Sequence, residues 1–141
     1  MKVLILCTGN SCRSQMAEGF LQVLNPRLVV RSAGTNASGM INQGAVRVMA
    51  EVGIDISAQR SESVDLYLDE DWDYVITVCG GAKEICPIFQ GNVKHQLHIG
   101  FDDPSDATGT QDFIDGEYVR VRDEIAVAFR DFYMDKIKPQ L

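Results

Sequence analysis

Residues 2–6 (KVLIL) form a short apolar run that stops at Cys7, and after a polar stretch Met16, Phe20, Leu21 and Leu24 recur at helical spacing until Asn25-Pro26. The pattern predicts strand, loop and helix. A second strand is expected over 28–32, with Ala33-Gly34-Thr35-Asn36 as a turn, followed by a helix over 43–52 that Gly53 ends. A third strand, 74–78, again stops at a cysteine. A fourth, 93–99, precedes a polar loop, and a long helix over 117–137 carries Val121, Ile125, Ala128, Phe129 and Phe132 on one face before Pro139 closes it.

Strands alternating with helices through short connections predict an α/β three-layer sandwich: a four-stranded parallel sheet with helices on both faces and right-handed crossovers. With no internal repeat, low-complexity run or linker, residues 1–141 read as one domain. Ligands of such sheets bind beyond the carboxyl ends of the strands. Cys7, Cys79 and the loop after Ile99 all follow strand ends, so three chemically loaded segments are expected on one edge.

Composition narrows the range of functions. Hydrophobic residues make up 45% and charged residues 23%, and no window approaches the roughly 18 uninterrupted apolar residues of a membrane helix. The first apolar run is too short for a secretion signal, so the four cysteines are expected to be reduced and the protein a cytoplasmic monomer. A net charge of -7 argues against nucleic acid and against anionic membranes as partners. An anionic small substrate would need a strictly local positive field.

Cys7-Thr8-Gly9-Asn10-Ser11-Cys12-Arg13-Ser14 offers one. This C-x5-R-S element between strand and helix lets the backbone curl into a ring with N–H groups pointing inward, and Gly9 and Asn10 are residue types that tolerate left-handed conformations. The following helix aims its N-terminal dipole at the same centre, and Arg13 can grip two oxygens of a tetrahedral oxyanion such as arsenate, phosphate or sulfate. This field is expected to lower the pKa of Cys7 and make it a thiolate nucleophile, with Ser14 bonding the sulfur.

Two further groups lie on the same edge. Asp103-Pro104 offers a carboxylic acid for a leaving oxygen that would otherwise depart as a strong base, although a merely solvated acidic turn has the same composition. Cys79 and Cys86 form a C-x6-C pair, a spacing unlike that of common zinc sites. A helical 79–86 segment would hold the Cα atoms about 10 Å apart, beyond the roughly 7 Å that a disulfide tolerates. Joining the two cysteines therefore requires the segment to loop out, which Gly80 and Gly81 permit.

The run C-T-G-N-S-C-R-S-Q-M-A-E resembles the active-site segment of thioredoxin-coupled arsenate reductases built on the low-molecular-weight protein tyrosine phosphatase fold. Phosphatases of that fold usually carry proline where this chain has Gln15. The resemblance implies that Cys7 attacks arsenate, Asp103 protonates the leaving oxygen, and Cys79 attacks Cys7 to release arsenite. Cys86 then attacks Cys79, and thioredoxin reduces the resulting disulfide, with no cofactor required. It also suggests a potassium ion at Asn10, Glu18, Ser32 and Glu62, the last departing from the usual aspartate. Two alternatives remain open at this point: a phosphatase using Cys7, Arg13 and Asp103 alone, and an oxyanion-binding redox sensor.

Overall fold

A computed structural model describes residues 1–141. Strand β1 (Lys2–Cys7) pairs in parallel with β2 (Val29–Gly34) and β3 (Trp72–Thr77), and β4 (Val93–His98) adds beyond β3, giving the order β2-β1-β3-β4. The inner strands are continuous apolar runs because a parallel sheet covered on both faces buries every side chain. Val3, Leu4, Ile5 and Leu6 are fully buried, and each such residue contributes about 1.5–3 kcal/mol of apolar burial. Strand β4 lies at the edge and is largely polar and exposed.

Helices cover both faces. Helix α1 (Arg13–Leu24) packs on β1 and β2 and against α4 (Gln111–Phe132), while α2 (Gln43–Glu51) packs on α1 and α4. Tyr74 meets Phe132 of α4 edge-on, so this face of β3 is the α4 side. Val75 and Thr77 alternate to the opposite face, where the short helix α3 (Gly80–Glu84) sits. No helix is long and apolar enough to cross a membrane.

Three boundaries differ from the periodicity. Ala33 and Gly34 belong to β2, not to a turn, because Gly34 pairs with Cys7 and its N–H donates to Glu62 O at 2.8 Å. Strand β3 begins at Trp72, a fully buried indole whose Nε1 donates to Tyr67 O at 3.1 Å. Helix α4 starts at Gln111 under a Thr110 cap that accepts from Phe113 N, ends as an α-helix at Phe132, and widens into a π-helical turn over Tyr133–Ile137. Its first turns continue the apolar stripe through Ile114 and Tyr118, so the periodicity extends further toward the N-terminus than the expected start at 117.

Candidate active site

The loop from Cys7 to Arg13 is a ring whose carbonyls are tied outward. Cys7 O accepts from Thr35 N (3.1 Å), Thr8 O from Asn36 N (2.9 Å), Gly9 O from Ser38 N (2.9 Å), and Ser11 O from Asn42 N (2.8 Å). Asn10 O accepts from Gln15 Nε2 (2.9 Å) and Cys12 O from Met16 N (3.0 Å). With these oxygens held outside, the intervening N–H groups are left for the centre, the arrangement that makes an anion nest. Asn10 supplies the left-handed residue at φ 49°; Gly9, the other candidate, does not take a positive φ.

The ring also rests on bare backbone. A Cβ on Gly34 would stand 2.4 Å from Thr8 O and 3.1 Å from Asn10 Cβ, so glycine is needed here for close approach. Gln15, fully buried, donates to both Asn10 O and Arg60 O at 2.9 Å and is held in turn by Gln59 Nε2. Where the phosphatases that this chain resembles carry proline, a side-chain amide clamps the ring to the 59–60 segment. Sequence reasoning treated Gln15 only as a family marker, and nothing in its spacing reveals the clamp.

Cys7 and Cys79 meet behind this ring, both buried. Cys79 caps α3, accepting from Ala82 N at 3.4 Å, and its sulfur lies 3.4 Å from Thr8 Oγ1. The pKa of Cys79 is brought down to about 4 by the Cys7 thiol, then by Thr8, the Ala82 N–H and the charge of Arg13. Cys7 is pushed well up, first by its hydrogen bond to Cys79 and then by burial, although Arg13 and the Thr8 N–H pull the other way. The expected lowering at Cys7 is thus overturned in the free site. The two thiols share a proton, and the charge of the pair is held by Arg13 and the Thr8 N–H on one side and by the Thr8 hydroxyl and the Ala82 N–H on the other.

The other expected residues fall into place around the pair. Cys12 is buried, with its thiol pushed up to about 12 mainly by burial, which suits an inert cysteine. Ser14 Oγ accepts from Asn10 Nδ2 at 2.8 Å, which ties it to the ring and leaves its hydroxyl proton to donate. Cys86 lies beyond α3, half-buried, and burial pushes its thiol up. Gly81 has a more specific role than backbone freedom. A Cβ there would stand 2.7 Å from Thr8 Oγ1.

Arg13 brings the acid loop to the ring. Its Nη1 donates to Phe101 O at 3.0 Å and its Nη2 lies 3.4 Å from Asp103 Oδ2. The other carboxylate oxygen of Asp103 caps the turn Pro104–Asp106, accepting from Ser105 N (3.0 Å) and Ser105 Oγ (2.7 Å). Asp102 is held from α4 by Arg120 at 3.1 Å, an exposed ion pair that adds little stability by itself.

Asn10, Glu18, Ser32 and Glu62 also cluster, yet they satisfy one another without an ion. Asn10 Nδ2 donates to Ser32 Oγ (2.9 Å), Ser32 Oγ to Glu18 Oε1 (2.6 Å), and Glu62 N to Asn10 Oδ1 (2.9 Å). Glu62 turns its carboxylate to Tyr67, accepting from the hydroxyl at 2.8 Å. No buried side-chain oxygen or nitrogen lacks a partner, so the four residues need no ion to satisfy them, and Glu18, Ser32 and Glu62 line one polar cavity.

Comparison with known proteins agrees with this geometry. The family model for low molecular weight phosphotyrosine protein phosphatase matches residues 2–140. Arsenate reductases of Halalkalibacterium halodurans and Bacillus subtilis are each 47% identical over 131 residues, covering 92% of this chain and 93% of theirs. A solved arsenate reductase in its oxidized state superposes with a TM-score of 0.78 at 30% identity, covering 92% of this chain and 94% of that one. The anion ring on a four-stranded parallel sheet and the match along nearly the whole length place the chain in the low molecular weight phosphotyrosine protein phosphatase family.

Proposed function

We propose that this protein reduces arsenate to arsenite through a thiol relay from Cys7 to Cys79 to Cys86, with thioredoxin reducing the final disulfide. The observation that carries the proposal is the buried Cys79 thiol at the anion ring, its sulfur 3.4 Å from Thr8 Oγ1. A phosphatase needs the nucleophile, the arginine and the acid, but has no use for a second thiol there. The 47% identity to arsenate reductases supports the same reading.

The proposed steps run as follows. Arsenate enters the ring, draws Arg13 from the acid loop, and accepts the Cys7 proton on one of its oxygens. The Cys7 sulfur bonds to arsenic as Asp103 protonates an oxygen that leaves as water. Cys79 then attacks the Cys7 sulfur. The sulfur–arsenic bond breaks toward arsenic, which gains two electrons and leaves as arsenite, while a Cys7–Cys79 disulfide forms. Cys86 attacks Cys79 and frees Cys7.

Exposed Ile85 and Ile88 flank Cys86 and offer an apolar surface to a protein reductant. Reduced thiols and such a donor fit a cytoplasmic setting.

The test is an arsenate assay coupled to thioredoxin, thioredoxin reductase and NADPH. Wild type is expected to turn over, and Cys7→Ser and Cys79→Ser to release no arsenite. Cys86→Ser should release one arsenite per chain and stop as the Cys7–Cys79 disulfide. Steady turnover in Cys79→Ser would overturn the relay. Hydrolysis of p-nitrophenyl phosphate by wild type, with no arsenite formed, would favour a phosphatase.

A further inference from the structure

A cavity of about 190 Å³ lies beside Cys86, lined by Val75 and Thr77 of β3, Gln96, Leu97 and His98 of β4, and Lys83 of α3. Val75 pairs with Gln96 and Thr77 with His98 in the parallel register, so these side chains share one face of the sheet. The same alternation carries β3 on to Cys79, two residues past Thr77. The cavity therefore runs along the face on which Cys79 stands, with Cys86 at its wall. In the relay proposed above, α3 unwinds and Cys86 approaches Cys79 on this face.

His98 stands beside that route. One ring nitrogen is fixed, with Nδ1 2.8 Å from Thr77 Oγ1. The other end of the ring reaches toward Gly100, where a Cβ would meet Nε2 at 2.8 Å, at the carboxyl end of the sheet where the thiol chemistry takes place. The remaining titratable groups that face the cavity are Lys83, from α3, and Cys86 itself; no carboxylate lines it. Lys83 is a donor without an acceptor, which leaves the imidazole as the proton acceptor of the cavity.

We propose that His98 is the base that takes the Cys86 proton as Cys86 attacks Cys79. The step is balanced. The Cys86 S–H proton passes to the imidazole, the Cys86 sulfur bonds to Cys79, and the Cys7–Cys79 bond breaks with its electron pair leaving on Cys7. No external oxidant is consumed, because the disulfide already exists and is only transferred.

The need for a base is specific to this sulfur. Cys79 has a hydroxyl, a helix N–H and a neighbouring thiol to hold its charge, whereas burial pushes the Cys86 thiol up with no compensating donor. Imidazole is the side chain suited to exchanging a proton near neutral pH.

The inference rests on the relay proposed above, and single-turnover kinetics separate the two. Full-length reduced protein is mixed with arsenate without thioredoxin, quenched with an alkylating agent, and scored for arsenite and for the Cys79–Cys86 disulfide. His98→Gln is expected to leave the arsenite burst intact and slow disulfide transfer about a hundredfold or more near pH 7, the usual range of base catalysis. The deficit should shrink as pH rises past about 9, where a growing share of the raised Cys86 thiol ionises unaided. His98→Ala should regain rate with added imidazole, a rescue that a merely structural role would not produce. Transfer at the wild-type rate in His98→Gln, or a deficit that neither pH nor imidazole relieves, would overturn the role of His98 while leaving the relay standing. Absence of any arsenite burst in wild type would instead remove the relay itself, and His98 with it.

Discussion

Thr8 Oγ1 stands 3.4 Å from Cys79 Sγ, so one residue of the anion ring also holds the second thiol of the relay. In the proposed relay the ring contributes to two successive chemical steps, and its side chain and its backbone can be tested separately.

The first test is a titration. Cys79 is an acid with its pKa lowered to about 4, so its thiolate persists as pH falls and is lost only near that value. Ultraviolet thiolate absorbance should show this transition in wild type and lose it in Cys79→Ser. Removing one donor from a charged acceptor in Thr8→Val should move the midpoint up by about one pH unit. An unmoved midpoint would show that the hydroxyl does not hold the charge.

Adjacent glycines should behave differently. Gly80→Ala meets open space, while the methyl of Gly81→Ala would press on Thr8 Oγ1 at 2.7 Å and turn it from Cys79. Gly81→Ala is therefore expected to reproduce the raised midpoint of Thr8→Val and to slow arsenite release, with Gly80→Ala near wild type. Identical behaviour of the two variants in the arsenite burst would refute the contact.

Gln15→Ala leaves the carbonyls of Asn10 and Arg60 without their shared donor. Loss of stability of about 1–3 kcal/mol in urea unfolding is expected, together with weaker inhibition by phosphate as the ring loosens. A stability loss with unaltered phosphate affinity would confine Gln15 to the scaffold.

Much of this site was legible in the sequence, and the reasons are local. The C-x5-R-S element names its own ring because curvature, glycine and arginine are encoded within eight consecutive residues. Cys79 was placed on the right edge because the apolar run of β3 ends there. What could not be read was every contact made across the chain: Thr8 with Cys79, Gln15 with Arg60, His98 with Thr77. The proton shared by Cys7 and Cys79 depends on two sulfurs separated by most of the sheet in sequence, and no spacing rule reports it. Thr110 with Asp112 carried a helix-start signal for α4, and Ile114 and Tyr118 continued its apolar stripe, so the earlier start was legible.

The mutual pairing of Asn10, Glu18, Ser32 and Glu62 bears on ion dependence. Replacing potassium by tetramethylammonium at equal ionic strength should change neither the melting temperature nor, beyond about twofold, the rate of arsenite formation, since an ion that does not bind the native state cannot stabilise it. A potassium-dependent rise in melting temperature would show that these side chains rearrange around the ion.

The outward-tied carbonyls of residues 7–12 mean that the cradle exists before any anion arrives. A receptor set in advance in this way recognises a tetrahedron and its charge but not the element at its centre, so the same ring suits phosphate as well as arsenate. In the proposed relay, selection then comes after binding. Attack by Cys79 would be productive only when the central atom accepts an electron pair from sulfur, and an oxyanion that cannot do so would leave unchanged. Such a protein would sort its guests by their reducibility rather than by their fit.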